Sequence, residues 1–469
     1  MANISSCLFS GRPTISRRAL LLGLSATCAV VAGPDRVPAA PAVSLTDLRG
    51  AIDAGAAGLK ADTGEDQTGR LQNLIAEASQ ADQWVFLPPG RYEVTGLKLP
   101  DRTRLTGIAG ATTLVLGGAG RFIEGDPGAR RIELDGIVFD GAGLPLPEEA
   151  PALIHLGEVS DLRIENCGFT GCEKTGLQIE RCGGTLRGNR FSAIGEYGVL
   201  AIDSTGLAIR ENVLSGCGNG SILVHRRQKG EDGTIVTGNR ISGTGAGYGG
   251  TGQFGNAINL YRADGVIVSG NHITDSAFTA IRANAASGIR ISDNHCLRSG
   301  ETAIYSEFGF EGALVTGNLV DGAANGISIA NFNEGGRLAI VSGNIVRNIS
   351  PVGPYEHDSV GFGIGIGVEA DTVVSGNVIE NVPRFAMLVG WGPYLRNVSV
   401  TGNIVRQARV GCAVSVVEEA GGALVSDNIF DGMEDGAILG YRWHDRATGE
   451  LIGGKERFAH LTIEGNRLS

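Results

Sequence analysis

An asparagine that returns about every two dozen residues constrains this chain more than any other feature. It stands at positions 189, 212, 239, 271, 294, 318, 344, 377, 403, 428 and 466. The shortest steps are 23 residues, and longer ones read as the same unit carrying an insertion. Apolar residues alternate around each Asn, as in Leu207-Ala-Ile209-Arg-Glu-Asn212-Val-Leu214, so the flanking segments are strands and not helices. One unit holds a strand ending near the Asn, a short strand after it, and a third of the form Gly/Ala-apolar-any-apolar, such as Ala257-Ile258-Asn259-Leu260. Three short strands with bends between them close one coil of a parallel β-helix. Each coil then pairs with the next about 4.8 Å along the axis.

Stacking turns sequence positions into columns. The Asn column is structural: its amides hydrogen-bond from coil to coil, and Asn tolerates the left-handed conformation of a tight bend. Gly precedes it at 188, 238, 270, 317, 343, 376, 402 and 465, as a turn requires. Two places after each Asn lies an apolar column from Phe191 to Leu468 that faces the core and includes Cys296. Three places after, Asp321, Arg347, Glu380, Arg406 and Asp431 alternate in sign, which predicts a surface ladder of ion pairs. Before the repeats, residues 66–79 carry apolar residues at helical spacing. A helix there would cover the exposed edge of the stack. At the other end, the insertion from Tyr441 to His460, with Trp443 and Phe458, is predicted to fold over the last coils.

Composition excludes several classes. A net charge of -11 argues against a general nucleic-acid binder. With 42 % hydrophobic and 19 % charged residues the chain is not a disordered one. Cysteines 167, 172, 182, 217, 296 and 412 form no C-x-x-C pair, so no zinc or iron–sulfur site is read. Cys172 and Cys217 fall at one column position two coils apart, too far for a disulfide. No metal ligand set is assigned, and a cofactor, calcium included, stays open.

The start of the chain carries an address. Ser16-Arg17-Arg18-Ala19-Leu20-Leu21-Leu22 opens an apolar run reaching about Val31, too short to anchor stably in a membrane. The arginine pair in this setting resembles a twin-arginine (Tat) signal, with cleavage expected after Ala42. Further on, the helix followed by Trp84-Val85-Phe86-Leu87-Pro88-Pro89-Gly90-Arg91-Tyr92 resembles the N-terminal cap of pectin-lyase-like right-handed β-helices. Signal and repeats together look like the uncharacterised family of Tat-translocated proteins with β-helix-like repeats. The resemblance implies an all-β, right-handed parallel β-helix of about 12 coils with an N-terminal capping helix. It divides the chain into a signal peptide over 1–42, a cap and first coil over 43–110, and the β-helix over 111–469. The Tat machinery and a periplasmic location follow from it, and no established reaction does. The acidic motifs of polygalacturonases and the D-P-H-D of alginate epimerases are not found.

Insertions lengthen the steps 212–239, 239–271, 318–344 and 344–377, which places a site in the middle of the stack. There the outward residue of the third strand runs Gln178, Ala201, Leu223, Asn259, Arg282, Tyr305, Ser328. The residue beyond the strand runs Glu180, Asp203, His225, Tyr261, Asn284, Glu307, Ala330. Arg282, Tyr305 and His225 are the candidate catalytic residues. Arg282 would pair with a uronate carboxylate and acidify the adjacent C–H, and Tyr305 or His225 would move the proton. Asn259, Tyr261, Arg262, Asn284, Glu307 and His357 are the candidate substrate-binding residues. His357 comes from the acid–His–acid triplet in the insertion Pro351–Phe362. The expected partner is an acidic polysaccharide, bound and then cleaved by a lyase or altered by a C5-epimerase. The alternative is a non-catalytic periplasmic glycan-binding or cell-envelope scaffold protein.

Overall fold

The computed structural model describes residues 50–250, 252–356 and 361–469. The chain is a right-handed parallel β-helix of about 14 turns. The first strands of the coils form one 16-stranded sheet running from Ile52–Asp53 to Leu461–Glu464. Second and third strands form the other sheet, in which Asp445–Glu450 is the one antiparallel member among the described residues. The Asn column alone suggests fewer turns because it starts at 189. In the coils before it, Ile137 and Cys167 take the same position, and the Cys167 amide donates to Asn189 Oδ1 at 3.0 Å.

From Asn189 to Asn466 the ladder is continuous. Each side-chain amide donates to the next Asn Oδ1 at 2.9–3.0 Å, and each backbone amide donates to the same oxygen at 2.9–3.0 Å. The left-handed residue, however, is not the Asn. It is the residue before it, Gly in eight coils and Glu211, Asp293 or Asp427 in three others. The Asn sits in the corner for its hydrogen bonds; the bend itself is made one place earlier.

The apolar column two places after Asn is buried from Phe191 to Phe430, Cys296 included. Its large side chains explain the Gly or Ala that opens each third strand. A Cβ on Gly326 would lie 2.5 Å from Val346 Cγ1, and one on Gly411 would land on the Phe430 ring. The charged ladder forms in two pieces: Asp321 with Arg347 (2.8 Å), and Arg406 with both Glu380 (3.0 Å) and Asp431 (3.3 Å).

Both ends are covered. Helix Thr68–Ala81 buries Leu71, Leu74, Ile75 and Ala78 against the first coils. At the far end Leu451, Ile452 and Phe458 pack on the core, whereas Trp443 turns away to the outer face. The six described cysteines are free and buried, Cys167 and Cys296 with thiols that burial pushes up to about 12.

Candidate functional site

The outward face of the third strands is bordered on both sides. Before these strands, the described parts of 244–255 and 351–362 meet over Phe278, whose ring stacks on Tyr355 at 6.3 Å. After them, residues 226–232, 308–311, 331–335 and 391–395 rise on the other side. There the Lys229 ammonium bridges coils to the Gly309 carbonyl. A channel between two walls follows from where the insertions sit in the repeat.

Strand register puts Leu223, Asn259, Arg282, Tyr305 and Ser328 in one column and His225, Tyr261, Asn284 and Glu307 in the next. One coil departs from the sequence expectation. Leu200 and Ile202, not Ala201 and Asp203, are the outward residues of the strand Tyr197–Ile202. Ala201 is buried in the core, and Asp203 lies past the strand with φ 49°. Val199, Leu200, Ala201 and Ile202 are all apolar, so alternation could not fix the register there.

Arg282 lies over the Tyr305 ring, its guanidinium carbon 5.5 Å from the ring centre. Its Nε donates to Glu307 Oε1 at 2.6 Å, and Asn284 Nδ2 donates to the same oxygen at 2.9 Å. Arg282 and Glu307 are both buried, yet Arg282 Nη1 has no hydrogen-bond partner among the described residues. Burial, with Glu307 beside it, raises the Tyr305 hydroxyl far above its usual range and keeps it protonated. Nearby, Glu301 accepts hydrogen bonds from Tyr355 (2.7 Å) and Thr279 (3.0 Å).

His225 faces Asn259 Oδ1 at 3.1 Å and packs edge-on to Tyr261. Burial lowers its imidazole to about 4 against the opposing effect of Asn259, so it is neutral at pH 7. Arg262 stacks on Tyr261 at 4.8 Å and donates to the Arg227 carbonyl at 2.8 Å. His357 lies outside the described residues. The basic run at 226–229 is engaged: Arg227 bridges Asp203 (2.6 Å) and Glu180 (2.9 Å).

Following the columns past Tyr305 leads to a feature that sequence reasoning missed. The outward residue becomes Ser328, then Gly367, then Leu388. Two small residues on successive coils drop the floor and open a cleft. Asn325, Ile364, Glu369 and Trp391 are among its lining residues. Glu369 stands one place beyond Val368, in the column that carries Glu307 two coils earlier. Burial raises its carboxyl to about 7, against the hydrogen bond that the Phe332 amide donates to Oε2 at 2.7 Å. Extending the column one coil beyond Ala330 would have found it. Among the described residues, no group of three or more His, Cys, Asp or Glu is arranged to hold a metal.

A family model described as right-handed beta helix region matches residues 130–241 and, in an overlapping match, 175–344. No curated protein sequence matches significantly. Among solved structures the chain is similar to the Dettilon tailspike protein, at 13% identity and TM-score 0.46, over 84% of this chain and 69% of that one. It is similar to the A-module of a mannuronan C-5 epimerase from Azotobacter vinelandii, at 14% identity and TM-score 0.39, over 89% of this chain and 99% of that one. A third is PfbA, a surface adhesin of Streptococcus pneumoniae, at 14% identity and TM-score 0.40, over 83% of this chain and 94% of that one. These likenesses are of fold.

Proposed function

We propose that this β-helix is an exported protein that binds an acidic polysaccharide along the walled face of its third strands and acts on it in the cleft at Glu369. The observation that carries the reading is that cleft, where a carboxyl held near 7 stands beside Trp391 over a floor opened by Ser328 and Gly367. Convergent polar groups in a partly apolar concavity mark a ligand site, and a carboxyl poised near the working pH suits proton transfer.

In this reading Asn259, Tyr261, Arg262 and Asn284 contact the chain-like ligand, and Glu307 orients Arg282 toward a uronate carboxylate. A pyranose unit is about as long as the coil spacing, so successive sugars meet successive coils. Glu369 takes the C5 proton, the role expected of Tyr305 or His225 from sequence. In β-elimination the electron pair forms the C4–C5 double bond, the C4–O4 bond breaks, and the leaving oxygen is protonated. Water in the open cleft supplies that proton, because Tyr305 stands two coils from Glu369. In epimerisation the proton instead returns to C5 from the opposite face.

Two observations favour other readings strongly enough to test. A carboxyl near 7 is also half protonated at neutral pH, as the general acid of a glycoside hydrolase needs. The Arg282–Glu307 pair, buried and at 2.6 Å, also suits a scaffold that only holds coils in register. Incubation with a panel of uronic-acid glycans separates them. Elimination raises ultraviolet absorbance from unsaturated products, epimerisation alters the NMR spectrum of the polymer, and hydrolysis releases reducing ends without absorbance. Absence of both turnover and binding across the panel would leave the scaffold reading.

A further inference from the structure

The hairpin of Ile429–Arg442 and Asp445–Glu450 is closed by the two residues Trp443 and His444. Trp443 has φ 57° at the first of these positions, where two-residue hairpin loops favour glycine. A bulky aromatic residue held there is an outlier that demands a cause. Burial does not supply one. The residue is 43 % exposed and belongs to neither of the two apolar clusters among the described residues. Leu451, Ile452 and Phe458, from the same insertion, do the work of covering the core.

What Trp443 does is stand against Trp391. The ring centres are 5.4 Å apart at 79°, and Tyr394 meets Trp443 at 6.3 Å and also 79°. The contact is built from both sides. Gly392 lies under the indole, and a Cβ there would come within 2.5 Å of Trp443 Cη2. The Gly392 carbonyl is fixed by Ser415 Oγ at 2.7 Å, and Arg442 ties the hairpin to Glu418 at 2.7 Å. Trp391 also lines the cleft that holds Glu369. Register places Gly390 one coil beyond Glu369, with Trp391 next in the chain.

We infer that Trp391 and Trp443 form an aromatic subsite for one pyranose ring of the glycan, one coil beyond Glu369 on the C-terminal side of the cleft. Two indoles near a right angle offer a face and an edge to the apolar C–H side of a sugar ring, and water is excluded from that side on stacking. The subsite recognises ring shape and not charge, so it complements the polar row from Asn259 to Tyr305. It rests on the reading of the cleft as a glycan site.

Intrinsic fluorescence reads it directly. The third tryptophan, Trp84, lies in the N-terminal cap under Arg104, so it reports nothing at the cleft. Oligogalacturonates and oligomannuronates of increasing length are titrated into wild type, Trp443→Ala and Trp443→Phe. Trp443→Ala is expected to weaken the longer oligosaccharides about ten-fold. It should leave short ones and the thermal midpoint unchanged, and Trp443→Phe should restore most of the affinity. If Trp443→Ala binds every length as wild type does while Glu369→Gln loses turnover, the subsite is wrong and the cleft assignment stands. If no oligosaccharide binds or is turned over by wild type, both are wrong.

Discussion

A carboxyl that titrates near neutrality ties local burial to both stability and turnover. The fold raises Glu369 from the ordinary 4.5 to about 7, so between these values the folded chain holds a proton that the unfolded chain has released. Stability from this group is therefore complete below about 4.5 and is lost as pH rises through about 7, by at most about 3 kcal/mol. Glu369→Gln should flatten that part of the stability profile in chemical denaturation. It should also cost roughly 10²-fold or more in turnover. If Glu369 is the base, wild-type kcat/KM climbs with a limb near pH 7; a descending limb there identifies the acid of a hydrolase. The second residue to probe is Asn318. Its side chain makes four hydrogen bonds of 3.0 Å, to Asn294 twice, Ile291 and Asn344. Asn318→Ala leaves those partners buried and unpaired, and should cost about 3 kcal/mol, seen as a lower urea midpoint. A loss below about 0.5 kcal/mol would remove the ladder as a determinant of the stack.

At the scale of the strand, close fit between columns sets what each position tolerates. Gly411 opens a third strand directly against Phe430, and the Ala437 carbonyl is 2.6 Å from where a Cβ would stand. Gly411→Ala should destabilise by about 1–3 kcal/mol through overpacking. In a Phe430→Leu background the same substitution should cost less, because the ring it strikes is gone; equal costs in both backgrounds would place the strain at the carbonyl. This coupling explains why the Gly/Ala-apolar-any-apolar pattern was legible in sequence: its small residue answers a large one in another column, coil after coil. Legibility failed where that answer is missing. In Tyr197–Ile202 every candidate is apolar, so both faces look alike and the register slipped by one. In the Asn motif the turn was assigned to the Asn itself, although Gly188 and its equivalents carry the positive φ. A side chain that bonds to its neighbours and a backbone that bends sit side by side in sequence, and only dihedral angles separate them.

For the whole molecule, stacking makes stability a sum over neighbouring coils, so no single coil carries the fold. The same stacking leaves the exposed ends as the places that need covers, which the helix Thr68–Ala81 and the 451–458 segment provide. No helix among the described residues is long and apolar enough to cross a membrane. The proposal of export rests on Arg17 and Arg18, which lie outside the described residues, as does Ala42. Replacing both arginines by lysine should leave uncleaved precursor in the cytoplasm, measured by fractionation and N-terminal sequencing. Unchanged export would point to the general secretory route, which does not need the pair.

What the sequence determined by itself was everything that repeats. Each coil meets nearly the same surroundings as the last, so the Asn ladder, the buried column behind it and the neighbourhood of Arg282, Tyr305 and Glu307 all appear as periodic residues. What only the tertiary structure decided was what breaks the period. The cleft exists because Ser328 and Gly367 fall on successive coils between larger residues. The Glu369 carboxyl is raised because burial outweighs the hydrogen bond from Phe332, and Trp443 reaches Trp391 from an insertion some fifty residues later. Desolvation and aromatic contact depend on distance in space, and insertions of unequal length hide that distance from any reading of the chain in order.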